Sequence, residues 1–404
     1  MEIGPILRAL WHNKLGAMLI AVQIAVTMTV IINAIFIINE RSRLMARPSG
    51  LEEANLFHLT SVGYGDDFNE QVTSDDDLNM LRQLPGVVNA TAVNAIPVSG
   101  SGSSTGVRID MDDRTANVGT AIYRVDEQVF DTLGLNFIAG EGFDVTDMRY
   151  RSSAGTTDAD KVVMTEALAA ILFPDLTPNE VVGETLYTDQ VTALQIVGIV
   201  ERLQAPWPSW ENVESSVLIP EQFLDTYSLY VVRTEPGQRD QVMRAAEDLL
   251  AGSGADRVIR GVNSLEQTRS ETYGADSALS SILKTVVVTL VFINSMGIVG
   301  LAVFSINKRR KQIGTRRALG ASKFEILRYF LLENLLITTV GVLVGAVLTI
   351  ALSIVLTTNF NMPAMAWYYA PLGALALIAI GQLAALGPSV RATTITPATA
   401  TRTV

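Results

Sequence analysis

The chain of 404 residues is 49% hydrophobic and only 18% charged, with a formal net charge of −11. It has no cysteine and two histidines, His12 and His58, which excludes a disulfide framework, a Cys-ligated zinc site and a thiol nucleophile. The acidic balance lacks the basic footprint a nucleic-acid binder needs, and soluble chains average about 25% charged residues, so the composition points to a membrane protein.

Residues 1–14 place Ile3, Ile6, Leu7, Leu10 and Trp11 on one face of a helix, which predicts an interfacial helix lying in the membrane plane. Four segments then reach the roughly 20 apolar residues that a bilayer core of ~30 Å requires: 15–38, 278–306, 329–357 and 368–387. The first is too long for a signal-peptide h-region, and no small-x-small site follows Ile38, so it reads as a retained span. The loop 307–328 carries Lys308, Arg309, Arg310, Lys311, Arg316, Arg317, Lys323 and Arg328 against the single acid Glu325. Short loops rich in Lys and Arg stay in the cytoplasm. Residues 1–14 and the tail 388–404 fall on that same side. Residues 39–277, which hold nearly all the acids, fall outside.

Residues 39–277 mix two patterns. Helix competence continues through Asn39–Arg47 to Pro48, and Asn263-Ser264-Leu265-Glu266 looks like a helix start. A helix from Ser264 to Ile306 would be about 64 Å long, about twice the bilayer core, so two such extensions predict a stalk, with a kink possible at Gly274. Between them, Val87–Val98, Val107–Met111, Ala121–Val125, Lys161–Met164, Leu194–Val200, Val217–Ile219 and Leu229–Arg233 read as strands. Leu78–Leu84, Glu127–Leu133, Glu166–Phe173 and Gln238–Leu250 read as helices, and Ser99–Gly106 and Arg151–Asp160 as surface loops. The expected fold is thus an α-helical membrane protein with four spans and a two-lobed α+β domain on a helical stalk.

The basic loop has local structure of its own. Lys308–Leu319 is helix-permissive, Gly320 can supply a left-handed stop, and Ser322-Lys323-Phe324-Glu325 forms a capping box that starts the third span. Two readings stand: charges that only anchor topology, or a rigid knuckle docking a cytoplasmic partner, with Gly314, Ala318, Gly320 and Ala321 allowing close approach. Gly341-x-x-x-Gly345 can bring another helix close.

Enzymatic chemistry is weakly signalled. Gly102-Ser103-Ser104-Thr105-Gly106 fits G-x-S-x-G, but a strand-like rather than a helical segment follows it. Asp75-Asp76-Asp77 and Asp110/Asp112/Asp113 lack the glycine and distal glutamate of a calcium loop, and read as a solvated acidic surface or a helix N-terminal cluster. No G-x-x-x-x-G-K-[ST] occurs. The spans hold only Lys284 and Glu333, each toward an end where snorkelling lowers the cost of a charge, so no conducting pathway is expected through them.

The order of one span, a large outside domain and three further spans resembles the permeases of MacB/FtsX-type ABC systems. The stretch from Lys308 to Ser322 is similar to that family's E-R-x-R-E-I-G-x-x-R-A-L-G-A-S signature, with Lys308 and Gln312 where glutamate is usual. Tyr123–Leu135, Ala139–Phe143, Val162–Ala169, Val182–Glu184 and Ile196–Val200 resemble blocks of its periplasmic core domain, and Pro388–Ala392 with Thr396-Pro397-Ala398 its tail. The resemblance implies a non-catalytic permease in the bacterial inner membrane, with both termini cytoplasmic and the large domain periplasmic. It implies ATP and Mg²⁺ on a separate ATPase subunit, with no cofactor bound by the chain itself. It also implies a second permease, identical or paralogous, surrounding lipids, and a periplasmic membrane fusion protein in efflux branches. ATP-driven motion would be transmitted through the stalk. Lys311, Ile313, Gly314, Arg316, Arg317, Ala318, Leu319, Gly320, Ala321, Ser322 and Glu325 would face the ATPase. Different branches of the family carry out efflux, extract lipoproteins or regulate a periplasmic partner.

Overall fold

The computed structural model describes residues 14–65, 68–151, 158–189, 192–254, 256–360 and 362–395. The expected interfacial helix at 1–14 and most of the expected loop at Arg151–Asp160 lie outside the described residues. The chain divides into a helical unit, residues 1–43 with 276–404, and a β-rich unit, residues 44–275.

The β-rich unit is built from a sheet with a lobe inserted into it. Strands β1 (Leu56–Gly63) and β2 (Val87–Val93) flank helix α2 (Glu70–Arg82), and β12 (Tyr227–Thr234) and β13 (Arg257–Ser264) flank helix α6 (Arg239–Ala251). The order β13-β1-β12-β2 is antiparallel throughout. This is the 4-1-3-2 order of a split β-α-β ferredoxin-like fold, with the second lobe entering between its second and third strands. Period-two alternation gives the sheet two apolar faces. Phe57, Leu59, Ala90, Ala92, Tyr230 and Val232 face Leu78 and Leu81 of α2 and Val242, Ala246 and Leu250 of α6. Leu56, Val93, Leu229 and Val231 point the other way and pack on Tyr123, Val125, Phe130 and Leu133 of the inserted lobe.

The inserted lobe contributes β3 (Ser103–Arg108), β4 (Val118–Arg124), α3 (Val129–Leu133), β5 (Phe137–Gly140), β6 (Arg149–Arg151), β7 (Lys161–Thr165), α4 (Glu166–Leu172), α5 (Pro178–Val181), β8 (Thr185–Thr188), β9 (Ala193–Val200), β10 (Ser216–Ile219) and β11 (Glu221–Phe223). Its main sheet runs β5-β9-β7-β10-β4-β3-β8. The first residues of β9 also pair with β8 and its last residues with β5, so six strands close into a ring. A second core of Val107, Ile122, Val162, Met164, Ile196, Ile199 and Val217 lies against Leu168 and Leu172 of α4.

Several expectations are corrected here. The expected loop Ser99–Gly106 contains most of β3, because Ser103–Val107 pairs residue for residue with β4. Met111, the expected end of a strand, lies beyond Arg108, where β3 stops. Asp77 is not solvated: it is fully buried beside Tyr230 and ion-paired with Arg257. The helix beginning after Ser264, whose side chain caps Gln267 N at 3.1 Å, does not run unbroken to Ile306. Helix α7 (Leu265–Thr272) ends at Tyr273, and α8 (Gly274–Lys308) starts afresh.

Two ionisable groups in this unit, the buried Asp126 and the half-buried His58, oppose each other in their response to pH. Burial pushes the Asp126 carboxyl up from 3.8 to about 6, against hydrogen bonds from Thr91, Ala92 N and Gln128 N and the Arg82 charge. Burial pulls the His58 imidazole, bonded to Thr268 Oγ1 at 2.7 Å, down from 6.5 to about 4. The raised Asp126 gives stability that is present below its unfolded value and lost as pH rises through about 6. The lowered His58 gives stability that is present above 6.5 and lost as pH falls through about 4. Relative to wild type, His58→Gln should therefore become more stable on acidification from pH 6.5 to 4, and Asp126→Asn less stable. Parallel urea titrations of the three proteins check this, and parallel pH profiles would refute both assignments.

The helical unit contains α1 (Lys14–Met45), α8, α9 (Arg310–Ala318), α10 (Lys323–Phe360) and α11 (Tyr369–Ala392). Among the described residues, α1, α8, α10 and α11 are long and apolar enough to cross a membrane. Ile24, Met28, Ile31, Ile298, Ile337, Val342 and Leu377 make their shared core. Polar side chains in this core reach backbone carbonyls of neighbouring helices: Gln23 donates to Ile293 O at 3.2 Å, Asn33 to Thr349 O at 3.4 Å and Asn334 to Gly381 O at 3.1 Å. Arg41 of α1 pairs with Asp276 of α8 at 2.5 Å.

Candidate functional site

The basic segment between α8 and α10 forms a compact knuckle. Arg309 leaves helical geometry (φ −105°, ψ 13°) and separates α8 from α9. At the far end Gly320 takes φ +100°, and the amides of Ala321 and Gly320 donate to Arg316 O and Arg317 O at 3.0 and 3.2 Å. That is a complete Schellman stop, and it needs a residue without a Cβ penalty at this φ. The capping box follows two residues later. Ser322 N donates to Glu325 Oε2 at 2.8 Å, and Glu325 N donates to Ser322 Oγ at 3.2 Å. The bonds from the Ser322 backbone and hydroxyl hold the Glu325 carboxyl below its ordinary range. Two successive caps, both local, thus fix the turn from α9 into α10.

The expected partner-facing residues divide by exposure. Lys311, Arg316, Ala318, Leu319, Gly320, Ser322 and Glu325 are exposed, and Arg317 and Ala321 half-buried. Ile313 and Gly314 are buried. Ile313 joins Ile306, Ile326, Phe330 and Ala392 in a small core beneath the knuckle. Gly314 therefore does not offer the open surface for close approach expected of it; its side of α9 is turned inward. Sequence reasoning missed Phe324, which is 68% exposed, five residues after Leu319 at 83%. Two exposed apolar side chains in a segment that also carries the exposed Lys311, Arg316 and Lys323 suit a protein partner. The signal was available: Phe324 is an aromatic inside an otherwise polar capping box.

Glu333 also departs from expectation. It does not snorkel to solvent but lies buried, and Arg309 grips it with both arms of its guanidinium, Nη1 to Oε2 at 2.9 Å and Nη2 to Oε1 at 3.0 Å. Arg309 Nη1 donates to Tyr329 Oη as well, at 3.1 Å, and the Arg316 guanidinium stands 5.1 Å from the Tyr329 ring centre.

Gly341 and Gly345 lie on the face of α10 that meets α1. A Cβ on Gly341 would stand 2.8 Å from Ala21 O and from Ile24 Cβ, and one on Gly345 would stand 2.9 Å from Met28 Cβ. Thr29 Oγ1 donates across this contact to Gly345 O at 3.4 Å.

An apolar four-helix unit, a large β-rich insertion after its first helix and a basic knuckle before its third define a permease-type architecture. The family comparisons agree. Residues 16–249 match the MacB-like periplasmic core domain and residues 284–397 the FtsX-like permease C-terminal domain. The chain belongs to the MacB/FtsX-type family of ABC transporter permeases. It is 23% identical over 371 residues to the macrolide export ATP-binding/permease protein MacB of Neisseria gonorrhoeae, covering 88% of this chain and 53% of that protein. The MacB of Escherichia coli K12 is also 23% identical, covering 91% and 54%. The chain thus spans about half the length of these relatives. Among solved structures, the extracellular domain of the noncanonic ABC-type transporter YknZ from Gram-positive bacteria is 14% identical, with a TM-score of 0.31 over 50% of this chain and 100% of that one. A domain of a putative permease from Porphyromonas gingivalis is 15% identical, with a TM-score of 0.29 over 52% and 90%.

Proposed function

We propose that the chain is the membrane-spanning permease subunit of an ABC system whose ATPase is a separate subunit holding ATP and Mg²⁺. In this reading α1, α8, α10 and α11 cross the inner membrane. Residues 1–14, the loop 307–328 and the tail 388–404 face the cytoplasm, and residues 39–277, which comprise the stalk and the β-rich unit, face the periplasm. Two permeases, identical or paralogous, flank the ATPase dimer. Nucleotide-driven closure moves the knuckle, the helices carry that motion outward, and the β-rich unit acts on a substrate in the periplasm, either with a membrane fusion protein in efflux or in another form of envelope export. The observation that carries the reading is the doubly capped knuckle, whose exposed Leu319 and Phe324 stand among basic residues in a chain of this family.

Reporter fusions after Gly50 and Gly261 should read as periplasmic, and one after Gly320 as cytoplasmic. A periplasmic signal at Gly320 would overturn the orientation. The coupling role is tested by Gly320→Pro. Proline holds φ near −65° and cannot take the +100° of the Schellman stop. The variant should retain a folded β-rich unit while an ABC ATPase that copurifies with the wild-type chain is lost. Unchanged ATPase association and activity would reduce the knuckle to a topology anchor.

A further inference from the structure

We infer that Arg309 and Arg316 are positioning residues that lash α9 to α10 at two points, so that knuckle and third long helix move as one rigid lever. The inference rests on the proposed function for its consequence, but its geometry stands in the chain alone. Arg309 lies immediately before α9, at the non-helical residue where α8 ends. Its guanidinium forks onto both carboxylate oxygens of Glu333 and onto Tyr329 Oη. Arg316 lies seven residues later, about 10 Å along the helix axis, and stacks over the same Tyr329 ring. Between them Ile313 is buried against Ile326 and Phe330 of α10. Two anchors and a wedge, all directed at α10, fix both the position and the direction of a nine-residue helix.

The chemistry favours a permanent clamp. A planar guanidinium meeting a carboxylate through two parallel bonds sets orientation as well as distance, which a lysine cannot do. The pair is also little exposed: the side chains are 14% and 8% accessible, so salt screens it weakly. Its energetic reason is local. Glu333 is an acid in an apolar helix, and Arg309 is the charge that makes its burial tolerable. Removing either partner leaves the other uncompensated. A push on α9 then reaches α10 without loss in side-chain slack, while across the helix break at Arg309 the α8 side chain Ile306 meets the knuckle through apolar packing.

The absence of native cysteine permits a direct test in lipid nanodiscs. Spin labels on Thr315→Cys of α9 and Val340→Cys of α10, both exposed positions, should give a narrow distance distribution by pulsed EPR. Glu333→Gln and Arg309→Lys should each broaden it, and the exchange Arg309→Glu with Glu333→Arg should narrow it again. A control pair, Val288→Cys on α8 with Val340→Cys, should stay narrow throughout. Unchanged distributions in both single variants would overturn the clamp. So would broadening that the exchange fails to reverse while circular dichroism shows intact helices. In complex with a copurifying ABC ATPase, the single variants should keep the ATPase bound but lose the nucleotide-dependent shift of the Thr315 label relative to a label on Lys284→Cys. Failure of the wild-type chain to hold any ATPase would count against the proposed function and leave the EPR result to decide the clamp.

Discussion

Asp77→Ala is expected to destabilise the β-rich unit by about 3–5 kcal/mol, the usual consequence of stripping one partner from a buried ion pair. Asp77 is fully buried on α2 and paired with Arg257. Arg257 also donates to Leu250 O at 3.0 Å and to Ser253 Oγ at 2.5 Å, closing the C-terminal end of α6. The guanidinium therefore ties both helices to the sheet, and without Asp77 its charge lies unmatched against the core. Asp77→Leu combined with Arg257→Met should recover much of the loss, because an apolar pair of similar volume carries no desolvation cost. It should not recover all of it, since Leu250 O and Ser253 Oγ lose the bonds that Arg257 donates to them. Urea denaturation followed by tryptophan fluorescence measures both steps. A single variant as stable as wild type would show that the pair carries no stabilising weight.

The second large effect is expected in the helical unit. Gly345→Leu and Gly341→Leu should each cost about 1–3 kcal/mol through overpacking and lower the thermal midpoint of the detergent-solubilised chain. The atoms in the way include backbone, Ala21 O at Gly341 and Ala25 O at Gly345, so no rotamer change on α1 relieves the clash. The helices must move apart. Separation also breaks the bond from Thr29 to Gly345 O and the one from Asn33 to Thr349 O. In an apolar solvent such packing and bonding is what holds helices together, so the β-rich unit should be spared while the helical unit loosens. Size-exclusion profiles after heating, with the two units followed by separate tryptophans, distinguish this from general unfolding. Unaltered profiles would mean that the two glycines tolerate a side chain.

How much of this could be read beforehand follows the range of the interaction. The four long helices were legible because an unbroken apolar run of that length has few other uses. The Gly320 stop and the Ser322–Glu325 box were legible because every partner lies within a few residues. Strand β1 was missed: both its faces are buried, Leu56 into one core and Phe57 and Leu59 into another, which erases the alternation that marks a half-exposed strand. Strand β13 was missed for the opposite reason, since Arg257, Arg260 and Asn263 make it read as a polar loop. The pairing of Arg309 with Glu333 could not be read at all. It joins residues 24 apart across a turn, and nothing in either local sequence distinguishes a snorkelling glutamate from a buried one. Gly314 misled for a related reason: small size suits an open contact surface and a crowded interior equally, and only the course of α9 against its own chain decides between them.

The insertion of a whole lobe into the four-stranded sheet has a consequence for how the protein comes to be assembled. Leu229 lies directly opposite Val93 in the β12–β2 ladder, yet everything from Asn94 to Thr226 is threaded between the two strands. Pairing that joins such distant residues is slow, because chain entropy must be surrendered before any contact forms. A strand ring that has already closed holds its entry and exit points together and shortens the search to the span of one folded body. Synthesis proceeds from the N-terminus, so β1, α2 and β2 emerge first and must wait for β12. During that wait β2 presents an unpaired edge, and how quickly the inserted ring folds sets how long that edge stays bare.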